Sequence, residues 1–149
     1  MPTHTERRNL AHTPKQLFDL VADIEKYPEF LPWCVAARIR KRDGDRILAD
    51  LVIGYKMFRE RFTSQVTLSA PGRIDVTYSE GPFKYLNNHW IFAEGVDDGC
   101  DIDFFVDFEL RSRLLEKIIG VVFNEAIQRM VSAFERRADD LYGSGEQST

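Results

Sequence analysis

From residue 35 to residue 110 the chain alternates apolar and polar side chains with a period of two. Ile47, Ala49, Leu51 and Ile53 form one apolar set. Phe58, Phe62, Val66 and Leu68 form a second, opposed by Arg59, Arg61, Thr63, Gln65 and Thr67. Ile74, Val76 and Tyr78 continue the pattern, then Leu86, Trp90 and Phe92. The cleanest stretch puts Cys100, Ile102, Phe104, Val106, Phe108 and Leu110 on one side and Asp101, Asp103, Asp107 and Glu109 on the other. One buried face and one wet face predict an antiparallel sheet. Turn pairs at Asp43-Gly44, Pro71-Gly72, Gly81-Pro82 and Asp98-Gly99 divide it into short strands.

The ends of the chain read differently. The first ten residues predict one more strand. Thr13-Pro14-Lys15-Gln16 has the form of a helix start, with a capping threonine, a proline in the first turn and a glutamine to close a capping box. Leu17, Phe18, Val21 and Ile24 follow at helical spacing, and the helix should end before Pro28. After Leu110 the period turns helical until about Tyr142, a helix of ~30 residues and ~45 Å. Its apolar stripe is Leu115, Ile119, Phe123, Ile127, Met130 and Phe134. Leu114, Ile118, Val121 and Val122 make its first half apolar nearly all round, while the second half is conventionally amphipathic. Strand, short helix, about six strands and a long helix predict an α+β fold. Residues 1–142 form its single domain and residues 143–149 a disordered tail.

A long helix is ~10 Å wide and cannot cover the concave face of a curled seven-stranded sheet. The remaining space must be filled by large side chains or left as a cavity. Eleven Phe, five Tyr and two Trp can fill much of it. Phe62, Trp90, Val106, Phe108, Phe123 and Ile127 share one phase on four elements and are expected to line it. The stretch YPEFLPWC at residues 27–34, stiffened by Pro28 and Pro32, is more apolar than a surface loop needs to be. It reads either as a lip presenting Phe30, Leu31 and Trp33 to a ligand or membrane interface, or as a plug for the end of the sheet. Glu60 and Asn88 interrupt the apolar faces of their strands. They mark either a break in register or a polar spot in a hydrated cavity.

Composition narrows the function. A net charge of -4 argues against binding DNA through its phosphates. The N-terminus has no apolar segment of signal-peptide type, and the apolar run at residues 118–123 is too short to cross a bilayer. With two cysteines, Cys34 and Cys100, the chain is expected to be cytoplasmic with reduced thiols. His4, His12 and His89 form no metal spacing with them, and no catalytic motif is present, so an enzyme is not expected. The stretch RIRKR at residues 38–42 places Arg38, Arg40 and Arg42 on one strand face, suited to solvent, anionic lipid or ribosomal RNA.

The strings YPEFLPWC, EGPFKYLNNHWIF, DFFVDFEL and GVVFNEAIQRMVSAFERRADDLY resemble the START superfamily, the helix-grip fold. They resemble in particular its branch of ubiquinone-binding proteins and ribosome association toxins, over residues 3–142. The resemblance implies a sheet gripping a C-terminal helix around an apolar tunnel. The implied ligand is ubiquinone or a similar isoprenoid lipid, carried at the inner membrane face without catalysis, in support of respiratory electron transfer. The branch also implies the alternative of a partner in the ribosome, and the superfamily a small-molecule cyclase or dehydratase. A quinone head accepts hydrogen bonds and donates none, so donors are expected from Trp33, Tyr55, Tyr85, His89 and Trp90. Each buried isoprene unit, at ~100 Å², contributes on the order of 2.5 kcal/mol before ordering costs.

Overall fold

The computed structural model describes residues 3–55, 58–95 and 99–143, without the side chains of Tyr55, Phe58, Ile119, Val121, Val122 and Asn124. The tail expected to be disordered therefore lies, from residue 144, outside the described residues, as does Asp98 of one predicted turn. Strand β1 (Thr3–Leu10) leads to helix α1 (Pro14–Ala22) and a 3₁₀ helix (Ile24–Glu29). Six strands follow: β2 (Cys34–Asp43), β3 (Arg46–Tyr55), β4 (Phe58–Ser69), β5 (Arg73–Glu80), β6 (Phe83–Glu94) and β7 (Cys100–Leu110). Helix α2 (Arg113–Tyr142) ends the fold. The strands form one antiparallel sheet in the order β1-β7-β6-β5-β4-β3-β2. Consecutive strands are neighbours from β2 to β7, and β1 closes on β7 to define the other edge.

Local chemistry accounts for the elements. The Thr13 side chain accepts from the Gln16 N–H at 3.1 Å, and Gln16 Oε1 accepts from the Thr13 N–H at 3.0 Å, the reciprocal box the sequence predicts. Such a cap contributes about 1 kcal/mol. Ser112 caps α2 by accepting from the Leu115 N–H at 3.2 Å. Helix α1 ends at Ala22, before Pro28 as the sequence predicts, and the first three residues of YPEFLPWC lie in the separate 3₁₀ helix, with Pro28 inside it. The shorter 3₁₀ repeat brings the chain round before β2 begins at Cys34.

One end of the concave face is packed solid. Leu17, Phe18, Leu20 and Val21 of α1 are buried there with Val131, Ala133, Phe134 and Ala138 of α2. Phe18 meets Phe92 edge-on at 6.0 Å, and Trp90 meets Phe104 at 4.7 Å and Phe134 at 5.1 Å. Each such ring pair adds about 0.5–1.5 kcal/mol to simple burial. His12 is buried, and its Nε2 lies 2.7 Å from Asp139 Oδ1, tying the segment before α1 to the last turns of α2.

Candidate functional site

The other end of the concave face is open space. A cavity of about 300 Å³ lies between β3–β7, the region of the 3₁₀ helix, and α2. Strand alternation supplies its walls. Along β4, Glu60, Phe62, Ser64 and Val66 project into it at every second residue; from β7 come Phe104, Val106, Phe108 and Leu110. α2 contributes Phe123, Ile127, Met130 and Phe134, spaced by four, three and four residues. The β5–β6 turn closes over Phe62 because residue 81 is glycine. Its φ is +142°, and a Cβ there would lie 2.7 Å from Phe62 Cβ.

Six of the residues expected at the cavity, Phe62, Trp90, Val106, Phe108, Phe123 and Ile127, line this one space together with Leu31. Phe30 and Trp33 are placed elsewhere. Phe30 packs on Phe134 at 5.2 Å, with Arg137 5.1 Å from its ring centre. Arg137 is held in turn by Glu29, Nη2 to Oε1 at 2.7 Å. Trp33 donates its indole N–H to the Ala126 carbonyl oxygen at 3.4 Å. The stretch at 27–34 thus combines both predicted roles: Leu31 faces the cavity, while Phe30 and Trp33 fasten the segment to α2. The side chain of Tyr55 lies outside the described residues.

The expected hydrogen-bond donors distribute differently. Tyr85 and His89 sit on the outer face of the sheet. The Tyr85 hydroxyl is pushed up by burial and by the neighbouring charges of Asp107 and Glu109. The His89 ring stacks on Phe105 at 5.1 Å. Trp90 remains at the cavity wall. Glu60 and Asn88 are not register breaks, for both line the cavity. Ser64, 1% exposed, joins them as a polar lining residue the sequence reading passed over. Its signal was available: it falls in phase between Phe62 and Val66. Asn88 Nδ2 donates to the Phe105 carbonyl oxygen at 2.7 Å, which fixes the amide orientation because that oxygen only accepts. Tyr27 also lines the space, and its hydroxyl donates to the Val21 carbonyl oxygen.

The two thiols are inert by environment. Cys34, at the cavity wall, and Cys100 are both buried, and burial pushes each up to about 11. Nucleophilic thiols require the opposite shift. Among the described residues no group of His, Cys, Asp and Glu side chains is arranged to hold a metal ion.

The outer face of edge strand β2 carries Arg38 and Arg40, but not the third arginine expected beside them: the pairing with β3 shifts between Ile39 and Lys41 and sets Arg42 opposite Ile47, on the other face. Asp50, 6% exposed, sits beneath Arg38 and Arg40. Thr63 Oγ1 donates to Asp50 Oδ1 at 2.5 Å, and Arg38 Nη2 and Arg40 Nε lie 3.2 and 3.7 Å from Oδ2. Burial pushes the Asp50 carboxyl up, but these hydrogen bonds and the charges of Arg40 and Arg61 outweigh it and hold the group below the usual carboxylate range. Two arginines of the patch are thereby partly neutralised. Arg42 has no ion pair among the described residues.

Comparisons with known proteins fit this geometry. The family described as "Polyketide cyclase / dehydrase and lipid transport" matches residues 10–135. The ribosome association toxin RatA of Rickettsia prowazekii is 41% identical over 136 residues, covering 89% of this chain and 92% of that one. The mitochondrial coenzyme Q-binding protein COQ10 homolog B of Xenopus laevis is 31% identical over 147 residues, covering 96% of this chain and 60% of that one. The ZhuI aromatase/cyclase of Streptomyces sp. R1128 has the same fold, with a TM-score of 0.82 at 14% identity and 93% of both chains covered. The chain with this sheet, this gripped helix and this cavity belongs to the polyketide cyclase/dehydrase and lipid transport family.

Proposed function

We propose that the chain is a non-enzymatic carrier of a hydrophobic, lipid-like ligand, with ubiquinone the first candidate, held in the cavity between sheet and α2. The observation that carries this reading is the cavity itself: about 300 Å³, walled almost wholly by apolar side chains, where a closed core of this composition needs no void. That volume suits a ring head and the first part of an isoprenoid tail, so the rest of a long tail would pass out between the walls. The Xenopus relative, a coenzyme Q-binding protein by name, supports the same ligand class.

Such a carrier loads and unloads at a membrane. Leu114 and Ile118, one turn apart at the start of α2, are 69% and 44% exposed, with Arg111, Arg113 and Lys117 exposed beside them. Apolar side chains ringed by cations match an anionic lipid surface, where each cation contributes about 1 kcal/mol. No helix among the described residues is long and apolar enough to cross a membrane, so contact through α2 would be peripheral.

Titration with a short-tail prenylated quinone, followed by tryptophan fluorescence, tests the proposal. Saturable one-to-one binding supports it, and no binding at ligand concentrations of about 100 μM removes it. A ribosomal role is the second reading, favoured by the 41% identity to a ribosome association toxin and by the arginines of β2. Co-sedimentation with ribosomal subunits that disappears on reversing Arg38, Arg40 and Arg42 to glutamate would establish it. A cyclase or dehydratase role has only the family name and fold behind it, since the cavity offers no activated nucleophile among the described residues.

A further inference from the structure

The polar groups at the cavity wall have a direction. Glu60 is half-buried on the inner face of β4 and has no hydrogen-bond or ion-pair partner among the described residues. An ionised carboxylate only accepts hydrogen bonds. The orientation of Asn88 is fixed by its bond to Phe105, which leaves its Oδ1, an acceptor, without a partner among the described residues. The Tyr27 hydroxyl, which would have been the strongest donor at the wall, is committed to the Val21 carbonyl. Trp33, Tyr85 and His89 do not line the cavity. Ser64 accepts as readily as it donates, and Trp90 is left as a lining side chain that only donates.

A quinone brings acceptors to this wall. Opposite Glu60 it would set oxygen against oxygen, with the carboxylate stripped of water and given nothing in return. The reduced form of the same lipid carries ring hydroxyls, each able to donate. We propose that the cavity selects the hydroquinone state of a prenylated ring lipid over its quinone state, with Glu60 accepting from a ring hydroxyl and Asn88 and Ser64 as further polar contacts deeper along the wall. Ser64 lies four residues from Glu60 on β4, about 13 Å in an extended strand, so the two mark separate depths. This inference rests on the lipid-binding reading and adds a redox preference to it. The protein would then hold the reduced lipid more tightly than the oxidised one.

The test is an anaerobic titration with three ligands sharing one short prenyl tail: a benzoquinone, its hydroquinone, and the hydroquinone dimethyl ether, which keeps the shape and loses the donors. The hydroquinone should bind about tenfold tighter than either of the others, the lower end of what one hydrogen bond to a charged group yields. Glu60→Leu removes no bond to protein, so its fold should stand. In that variant the preference should collapse, with affinity for the ether unchanged or improved. Glu60→Gln, which can donate as well as accept, should leave a smaller preference than the native chain. Equal binding of all three ligands, or a preference that survives undiminished in Glu60→Leu, overturns the inference while leaving lipid binding in place. Failure of all three to bind overturns the lipid-binding reading itself.

Discussion

In the second half of α2, Val131, Ala133, Phe134 and Ala138 are at most 4% exposed, whereas in the first half Leu114 and Ile118 stand 69% and 44% exposed. Both halves are continuous helix. They differ in what lies opposite. The second half meets α1 and a cluster of rings from Tyr27, Phe30 and Trp90. The first half meets solvent on one side, and the central turns from Phe123 to Met130 border the cavity. Stability and binding are therefore separated along a single element, and substitutions can address them one at a time.

The largest expected effect is on stability. Phe134→Ala should cost about 3–5 kcal/mol in denaturant unfolding, as for other buried rings. Phe123→Ala should cost clearly less: both rings border the cavity, but Phe134 also packs against the rings of Tyr27, Phe30 and Trp90, whereas Phe123 meets those of His4 and Phe108 among the described residues. Equal losses would erase the distinction between the two halves. Next comes Ile127→Trp, which fills the cavity from the helix side. It should weaken ligand binding more than tenfold while changing stability by no more than the roughly 1–3 kcal/mol of an overpacked site. A smaller split is expected in the segment at 27–34. Leu31→Ser should weaken binding, and Trp33→Ser should lower the melting temperature, since Trp33 is bonded to Ala126 and does not line the cavity.

Smaller again in stability, but not in membrane association, is the double change Leu114→Ser with Ile118→Ser. Exposed substitutions alter stability by about 0.5 kcal/mol or less. Sedimentation with anionic vesicles should fall several-fold and should already weaken with salt. Unchanged sedimentation would mean that the start of α2 is not the contact. The least effect near neutral pH comes from the buried thiols. Cys34 and Cys100 are held protonated in the fold, with their titration pushed up to about 11. Their contribution to stability is complete below about pH 8.5, where the unfolded thiols are still protonated, and is lost as the pH rises toward 11. At pH 7.5 iodoacetamide should therefore modify neither thiol until the chain is unfolded.

The alternation in β7 read true because all eleven of its residues keep one phase, and the start of α1 read true because a capping box is local chemistry. The inner face of β6 was harder. Phe83 lines the cavity, and so do Leu86, Asn88 and Trp90; between them the pairing with β7 shifts register at Phe83/Tyr85. A shift of one residue exchanges the two faces of a strand, so Tyr85 leaves the side on which Phe83 sits. Composition alone carries no trace of such a bulge. Phe30 and Trp33 were misplaced for another reason: their apolar character is equally suited to a ligand and to the flank of α2. Only the fold brings Phe134 and Ala126 within reach of them. Glu60 and Asn88 were visible as interruptions, but periodicity does not say whether an out-of-pattern polar residue faces a void or escapes to solvent.

The central claim is that the space beside Phe123 and Ile127 belongs to a lipid. Native mass spectrometry of the chain purified from respiring cells without detergent measures this most directly, read beside the Ile127→Trp variant from the same preparation. The account predicts one added mass per chain, identified after organic extraction as a prenylated quinone or hydroquinone, and its absence from the variant. A bare native chain, or an adduct that the filled cavity retains in full, would contradict it.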